Sequence, residues 1–417
     1  MQSLRIVLFR ILRHRLLILV ALAGVLLLAG LVYSIWLGET LRYLPDEEEY
    51  VNLANNLAQS GTYSLEGKLT AYRPPGYAAV LGMVSLLGGG IYHFRFLNFL
   101  LLAGSLLLAC RILSRQGYSL GATLGGLLVV AYPVLFYTAG TLYPQTLAGF
   151  LFLLVLEIYT RPCLRTFHHF VGGALLGLLV LTVPTFFFAF FVLAAWIWLF
   201  RRAQIKKFLI LSLGVMLLIL GFWTIRNYTI FNTFFFVSTN SGENLLVGNS
   251  ENTTPNAGTT VDISKYLSGA SGLDEVERDR YFRQQALEFI SNNPGDAVRL
   301  YLLKVLNYFN YRNELVTQAE ATPGKDLLML VTYGPLLLIF LLRLLQVSKI
   351  KLSPLEVLFT SIYLVSAFVS AIFFTRIRFR LPFDYLLIMA VAIALDVNLR
   401  RFLNLSAPSM GDVGQVV

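Results

Sequence analysis

Charge is what this chain has least of. Of its 417 residues only 13% are Asp, Glu, Lys or Arg, against 57% hydrophobic, a balance that excludes a soluble globular domain and places the chain among polytopic membrane proteins. Cysteine is nearly absent as well. Cys110 and Cys163 form neither a disulfide framework nor a metal-ligand spacing, and both are expected to pack as small apolar side chains near cytoplasmic helix ends. No small-x-small site closes the first apolar run, so an uncleaved span is expected there rather than a signal peptide. No internal repeat is visible, which counts against the inverted-repeat transporters. The net charge of +10 comes mostly from short Lys and Arg clusters between apolar segments, so membrane orientation explains it better than nucleic acid, which is not an expected partner.

Hydropathy and the positive-inside rule together give a topology. Arg5, Arg10, Arg13 and Arg15 precede an apolar run over 16–38 and put the N-terminus in the cytoplasm. Further spans are expected near 92–113, 119–138, 143–160, 167–182, 184–200, 208–222, 327–342, 354–374 and 382–396. Arg111, Arg115, Arg161, Arg165, Arg201, Arg202, Lys206, Lys207, Arg343, Lys349, Lys351, Arg400 and Arg401 all then fall inside. The expected fold is an all-α polytopic membrane protein of about ten transmembrane helices with both termini cytoplasmic. Residues 1–222 form an N-terminal transmembrane module whose first external loop, 39–91, carries two interfacial helices. Residues 223–325 form an external loop and a small helical lobe, with helices over 273–293 and 297–310. Residues 326–417 supply the last spans and a cytoplasmic tail.

The first external loop contains LPDEEEY, residues 44–50. Four consecutive carboxylates beside a membrane span need water, a helix end or a task. On a helix starting at Pro45, Tyr50, Val51, Ala54, Leu57 and Ala58 form an apolar stripe, with Glu47 near its centre and Asp46 at its edge. Glu48 and Glu49 point away among Asn52, Asn55 and Asn56, and are expected only to start the helix and complement its dipole. Asp46 and Glu47 are therefore the site candidates.

Two other stretches carry chemistry. The segment after the seventh span is rich in Asn, Ser, Thr and Gly; it reads equally as a solvated connection or as a lid whose amides, including Asn240 and Asn244, suit sugar hydroxyls. Near the end, Arg376, Arg378 and Arg380 stand at the outer end of a span, where positive charge is unexpected. A helix would put Arg376 and Arg380 on one face with Arg378 opposed, whereas an extended stretch, favoured by Pro382, would point all three the same way. Convergent guanidiniums suit a phosphate, although general attraction to anionic lipids would also collect them.

These pieces resemble the GT-C superfamily of polytopic glycosyltransferases, close to the protein mannosyltransferase and aminoarabinose transferase branch, as in glycosyltransferase family 39. The resemblance rests on DEEEY after the first span, QSGTYSLEGKLTAYRPPGY at 59–77, the LYPQTL hairpin, WTIRNYTIF followed by STNSGENLLVGN, and RIRFRLPFDY, in an order that covers almost the whole chain. It implies transfer of a sugar from a polyprenyl-phosphate donor to a glycan, lipid or protein acceptor, with inversion, on the outer face of a bacterial-type inner membrane. It assigns Asp46 as general base with Glu47 in support. Arg378 and Arg380 are the first choices for the donor phosphate, followed by Arg376, Arg73, Arg95 and Tyr72. Tyr50, Gln145, Asn240 and Asn244 fall to the acceptor or sugar. Gln145 stands where several relatives carry a second acid, which weakens a two-carboxylate metal site and leaves a divalent metal open. The competing expectations are a transporter or flippase of lipid-linked sugars, and an inactive relative acting as an assembly partner.

Overall fold

The computed structural model describes residues 14–42, 44–256, 258–312 and 323–403. Arg5, Arg10, Arg13 and the tail after residue 403 lie outside the described residues. Helix dominates. Among the described residues, six helices are long and apolar enough to cross a membrane: α1 (Arg15–Leu37), α4 (Ile91–Arg115), α10 (Arg202–Phe231), α15 (Pro323–Leu345), α16 (Pro354–Ile372) and α17 (Ile377–Phe402). The pair α5 (Ser119–Val130) and α6 (Pro133–Ala139), bent by 60° at Pro133, makes a seventh if counted as one span. The chain is a multi-pass integral membrane protein.

Nine of the ten expected spans each coincide with a helix and the tenth, 119–138, with the bent pair α5 and α6, but length separates them. Helices α7 (Gln145–Tyr159), α8 (Thr166–Thr182) and α9 (Phe187–Phe200, with a 3-10 turn from Pro184) are shorter apolar pieces. At about 1.5 Å per residue, 17 residues reach roughly 25 Å, short of the ~30 Å hydrocarbon core. Hydropathy counts apolar segments, whereas a span must also be long enough. Six to seven spans therefore meet both criteria.

At the centre runs α17, buried continuously from Arg380 to Ala394. Small residues let its neighbours come close: a Cβ on Gly121 of α5 would stand 3.0 Å from the Ala392 carbonyl. At the same crossing Asp396 accepts a hydrogen bond from the Gly121 amide at 2.8 Å, occupying one of the open donors of the α5 N-terminus.

The first loop holds two helices, α2 (Asp46–Ser60) and α3 (Pro75–Leu86), where two were expected. Pro45 sits in the cap position of α2, and Gly61, with φ +67, ends the helix in the left-handed conformation that glycine adopts without strain. Between the helices lies a small departure from an all-helical chain, a hairpin of β1 (Ser64–Leu65) and β2 (Lys68–Leu69), turned by Glu66 and Gly67 at positive φ. Gly76 in the first turn of α3 is fixed by contact: a Cβ there would meet the Thr182 backbone nitrogen at 2.8 Å.

The lobe between α10 and α15 comprises α11 (Ser241–Gly248), α12 (Ser264–Leu267), α13 (Glu275–Asn292) and α14 (Pro294–Tyr308). Its boundary shifts, because α10 continues through Trp223 to Phe231 instead of ending at 222. Asp274 caps α13 through the amides of Val276 and Glu277, a capping box closed by Glu277. One packing expectation fails: Cys110 is buried, but Cys163 is exposed in the turn before α8.

Candidate active site

The first turn of α2 divides the acidic run. Glu47 is 1% exposed, because the helical repeat turns it toward the same side as Tyr50, Val51 and Ala54. Both its oxygens are bonded: Oε2 accepts from the Arg42 amide at 2.6 Å and Oε1 from the Leu142 amide at 2.7 Å. Glu47 therefore fastens α2 to its own loop and to the turn between α6 and α7. It supports the site and does not line it.

Asp46, one position earlier, faces a set of cations. Arg73 Nη2 donates to its Oδ1 at 2.5 Å, and Arg378 Nη1 donates to its Oδ2 at 2.8 Å. The Tyr143 hydroxyl bonds the same carboxylate, and the Tyr143 ring lies 5.0 Å from the Arg378 guanidinium carbon, a cation–π distance. Burial pushes the Asp46 carboxyl up, but Arg378 and then Arg73 outweigh it, so its pKa lies below the ordinary value of 3.8. Arg73 also spans to Glu49, its Nε donating to Oε2 at 2.5 Å. That corrects the reading of Glu49 as a mere helix starter; only Glu48 is exposed. Glu49 has a raised pKa, since its burial exceeds the pull of Arg73.

Arg73 is itself held in place. Its guanidinium carbon lies 5.7 Å from the Tyr50 ring and 5.1 Å from that of Tyr72. The residues just before it are clamped by the lobe: Glu275 accepts from the Ala71 amide at 2.8 Å, from the Thr70 hydroxyl at 2.6 Å and from the Thr239 hydroxyl. The Thr239 amide donates to the Ala71 carbonyl at 3.1 Å, and Arg226 donates to the Thr70 carbonyl at 2.8 Å. The Tyr72 hydroxyl reaches Glu243 of α11 at 3.2 Å. Glu275, Glu243 and Arg226 were not anticipated, because their partners at 70–72 are more than 150 positions away in sequence and no periodicity encodes such contacts.

The three C-terminal arginines do not converge. Helix α17 begins at Ile377 and runs through Pro382, so Arg378 and Arg380 diverge as helical geometry requires. Arg380 is fully buried, pairs with Asp384 one turn on at 3.0 Å, and donates to the carbonyls of Tyr308 and Asn310. It is a structural cation and is withdrawn as a donor ligand. Arg376 precedes the helix in an extended conformation and lies against Gly258, where an added Cβ would be 2.9 Å from its Cδ. Arg95 is also spent on backbone, donating to the carbonyls of Gly38 and Thr40 where α1 ends.

Of the sugar candidates, Tyr50 is buried and packs edge-on against Tyr77 at 5.2 Å, serving as a wall behind Arg73. Gln145 opens α7, two residues after Tyr143; it is buried, and its Oε1 has no hydrogen-bond partner among the described residues. Asn240 occupies the position before α11 without a side-chain cap bond and accepts from the Ser238 hydroxyl at 2.9 Å, while the Asn244 amide donates to the Asn240 carbonyl at 3.1 Å. Both flank Glu243, which brings that end of the amide-rich loop to Tyr72. Among the described residues no three His, Cys, Asp or Glu side chains gather in a metal-holding group.

Two solved structures of ArnT from Cupriavidus metallidurans are similar to this chain. The one bound to undecaprenyl phosphate aligns over 92% of this chain and 77% of its own, with a TM-score of 0.45 and 14% identity. The apo structure aligns over the same shares with a TM-score of 0.42 and 15% identity. No family model and no curated protein sequence matches.

Proposed function

We propose that this protein is an inverting membrane glycosyltransferase that moves a sugar from a polyprenyl-phosphate donor to an acceptor at the membrane face carrying α2. The observation that supports this most directly is the carboxylate of Asp46 set between the guanidiniums of Arg73 and Arg378. Glycosyl transfer with inversion needs a base for the acceptor hydroxyl and cations for the departing phosphate. Those two requirements meet here within one cluster. The resemblance of the ordered motifs to those of polyprenyl-phosphate-dependent enzymes supports the same reading.

In this mechanism the acceptor oxygen attacks the anomeric carbon from the side of Asp46. A new C–O bond forms as the bond to the phosphate oxygen breaks, the electron pair leaves on the lipid phosphate, and the acceptor proton passes to Asp46. Arg73 and Arg378 take the phosphate charge. In the resting state these arginines lower the basicity of Asp46. When they turn to an incoming phosphate, they release the carboxylate, whose burial then raises its pKa toward that of an effective base. Glu47 holds the helix turn in register throughout.

The test is Asp46→Asn in detergent, with folding checked by gel filtration and thermal melt. Sugar transfer from a lipid-phosphate donor is expected to fall by a factor of about 10² to 10⁴, the range for loss of a positioned base. Transfer at the wild-type rate would remove Asp46 from that role. Translocation of the donor without any transfer, in the wild-type protein, would replace the enzyme with a flippase.

A further inference from the structure

Helix α14 presents three different faces. The first, with Ala297, Lys304 and Tyr308, is buried. There Lys304 Nζ donates to the carbonyls of Gly248 at 2.8 Å and Phe373 at 2.7 Å and to Asn249 Oδ1 at 3.2 Å, and the Tyr308 hydroxyl bonds that of Ser366 at 2.6 Å. The second face, with Asp296, Arg299, Leu300 and Leu303, borders a cleft of about 700 Å³ that also takes in Gln285, Glu288 and Asn292 of α13. The third is a line of Val298, Leu302 and Leu306, which are 60%, 54% and 69% exposed.

Single exposed apolar side chains are ordinary, but three on successive turns of one amphipathic helix are not. What continues the line identifies its occupant. On α16, a helix apolar and long enough to span, Leu364, Phe368 and Ile372 are exposed at the same four-residue spacing. The Tyr301 hydroxyl of α14 donates to the Phe368 carbonyl at 3.1 Å, so the two apolar lines lie on helices joined at that point. Ser366, where Tyr308 packs, is six residues in from the end of α16. At about 1.5 Å per residue that is roughly 9 Å, within the depth at which interfacial helices sit.

We propose that α14 is a membrane-surface helix. Its Val298, Leu302 and Leu306 line is seated among lipid acyl chains of the leaflet on the Asp46 face, continuous with the lipid-facing side of α16. The lobe is then anchored twice, by α14 in the leaflet and by Glu275 on the loop that carries Arg73. The cleft on the adjoining face of α14 stays in water.

The experiment uses the full chain with Cys163→Ser, which removes the exposed thiol and leaves the buried Cys110. Single cysteines at Val298, Leu302 or Leu306 carry a fluorophore in phosphatidylcholine nanodiscs. Controls are Glu277→Cys, on an exposed position of α13, and Leu338→Cys, on an exposed position of the spanning helix α15. Quenching by lipids with a nitroxide on an upper acyl carbon is expected to be at least about twofold stronger at 302 and 306 than at 277, and iodide quenching correspondingly weaker, as for a side chain below the headgroups. Iodide quenching at 302 equal to that at 277 would overturn the proposal. So would protection from both quenchers, which would mark a protein partner or a second copy in place of lipid. The Val298 site keeps the test intact should a label at Leu302 disturb folding.

Discussion

Arg378 donates to Asp46 at 2.8 Å across 332 positions of sequence, so the last spanning helix and α2 meet at one carboxylate. Arg73 closes the same carboxylate from the other oxygen. The proposed base and the proposed phosphate ligands are therefore in contact before any substrate arrives, and substitutions in this cluster have effects that can be told apart.

Arg378 and Arg380 look equivalent in the sequence and should behave oppositely. Arg380→Met leaves Asp384 buried without its cation and is expected to cost about 3–5 kcal/mol of stability. Arg378→Ala removes a pair that retains some solvent contact, so the stability change is expected at about 1 kcal/mol or less, while the KM for the lipid donor rises on the order of tenfold or more through loss of a charge-assisted phosphate contact. Thermal melts beside donor titrations separate the two. A wild-type donor KM in Arg378→Ala would break the assignment.

The pH dependence follows from the depressed pKa of Asp46. A carboxylate with a folded pKa below 3.8 contributes stability that is fully present above that value and is lost as pH falls through the folded pKa. The acid limb of kcat/KM, which reports the free enzyme, is expected below pH 4 in the wild type. In Arg73→Ala, burial is opposed by one guanidinium instead of two, and the limb should move to higher pH. An unmoved limb would show that Arg73 does not set the state of Asp46.

Glu275 touches none of the proposed reacting groups, yet two of its hydrogen bonds fix Thr70 and Ala71, from which Tyr72 and Arg73 extend, and a third ties it to Thr239. It is a positioning residue. Glu275→Ala is expected to lower stability by roughly 2 kcal/mol and to raise donor KM more than it lowers kcat. Glu275→Gln, which keeps an acceptor for the Ala71 amide, should restore part of the donor KM. A drop in stability with unchanged donor KM in both variants would reduce Glu275 to scaffold.

What the sequence made legible was whatever helical geometry or hydropathy fixes locally. The inward turn of Glu47 and the outward turn of Glu48 follow from 100° per residue, and every expected span found an apolar helix or, at 119–138, a bent helix pair. Glu49 escaped because its partner, Arg73, arrives from a different segment after the hairpin. The misreading of Arg380 came from giving Pro382 more weight than packing. One signal pointed the other way: Arg380 and Asp384 stand four apart, the spacing of an ion pair along a helix. A span's length escaped as well, since apolar stretches bounded by polar turns do not reveal how many residues stay helical. The clamp of Glu275 and Arg226 on the loop before Arg73 has no local signature at all.

The guanidiniums of Arg73 and Arg378 and the carboxylates of Asp46 and Glu49 form two cations and two anions in direct contact. As a group they are electrically balanced, so they offer little long-range attraction to stray anions or to the charged headgroups crowding a membrane surface. On the proposed function, an anionic donor enters by ion exchange, displacing an internal carboxylate instead of adding to an open positive patch. On that reading, selectivity begins before recognition of the proposed sugar, with the ability of the incoming anion to outcompete a counter-ion that the protein carries within its own chain.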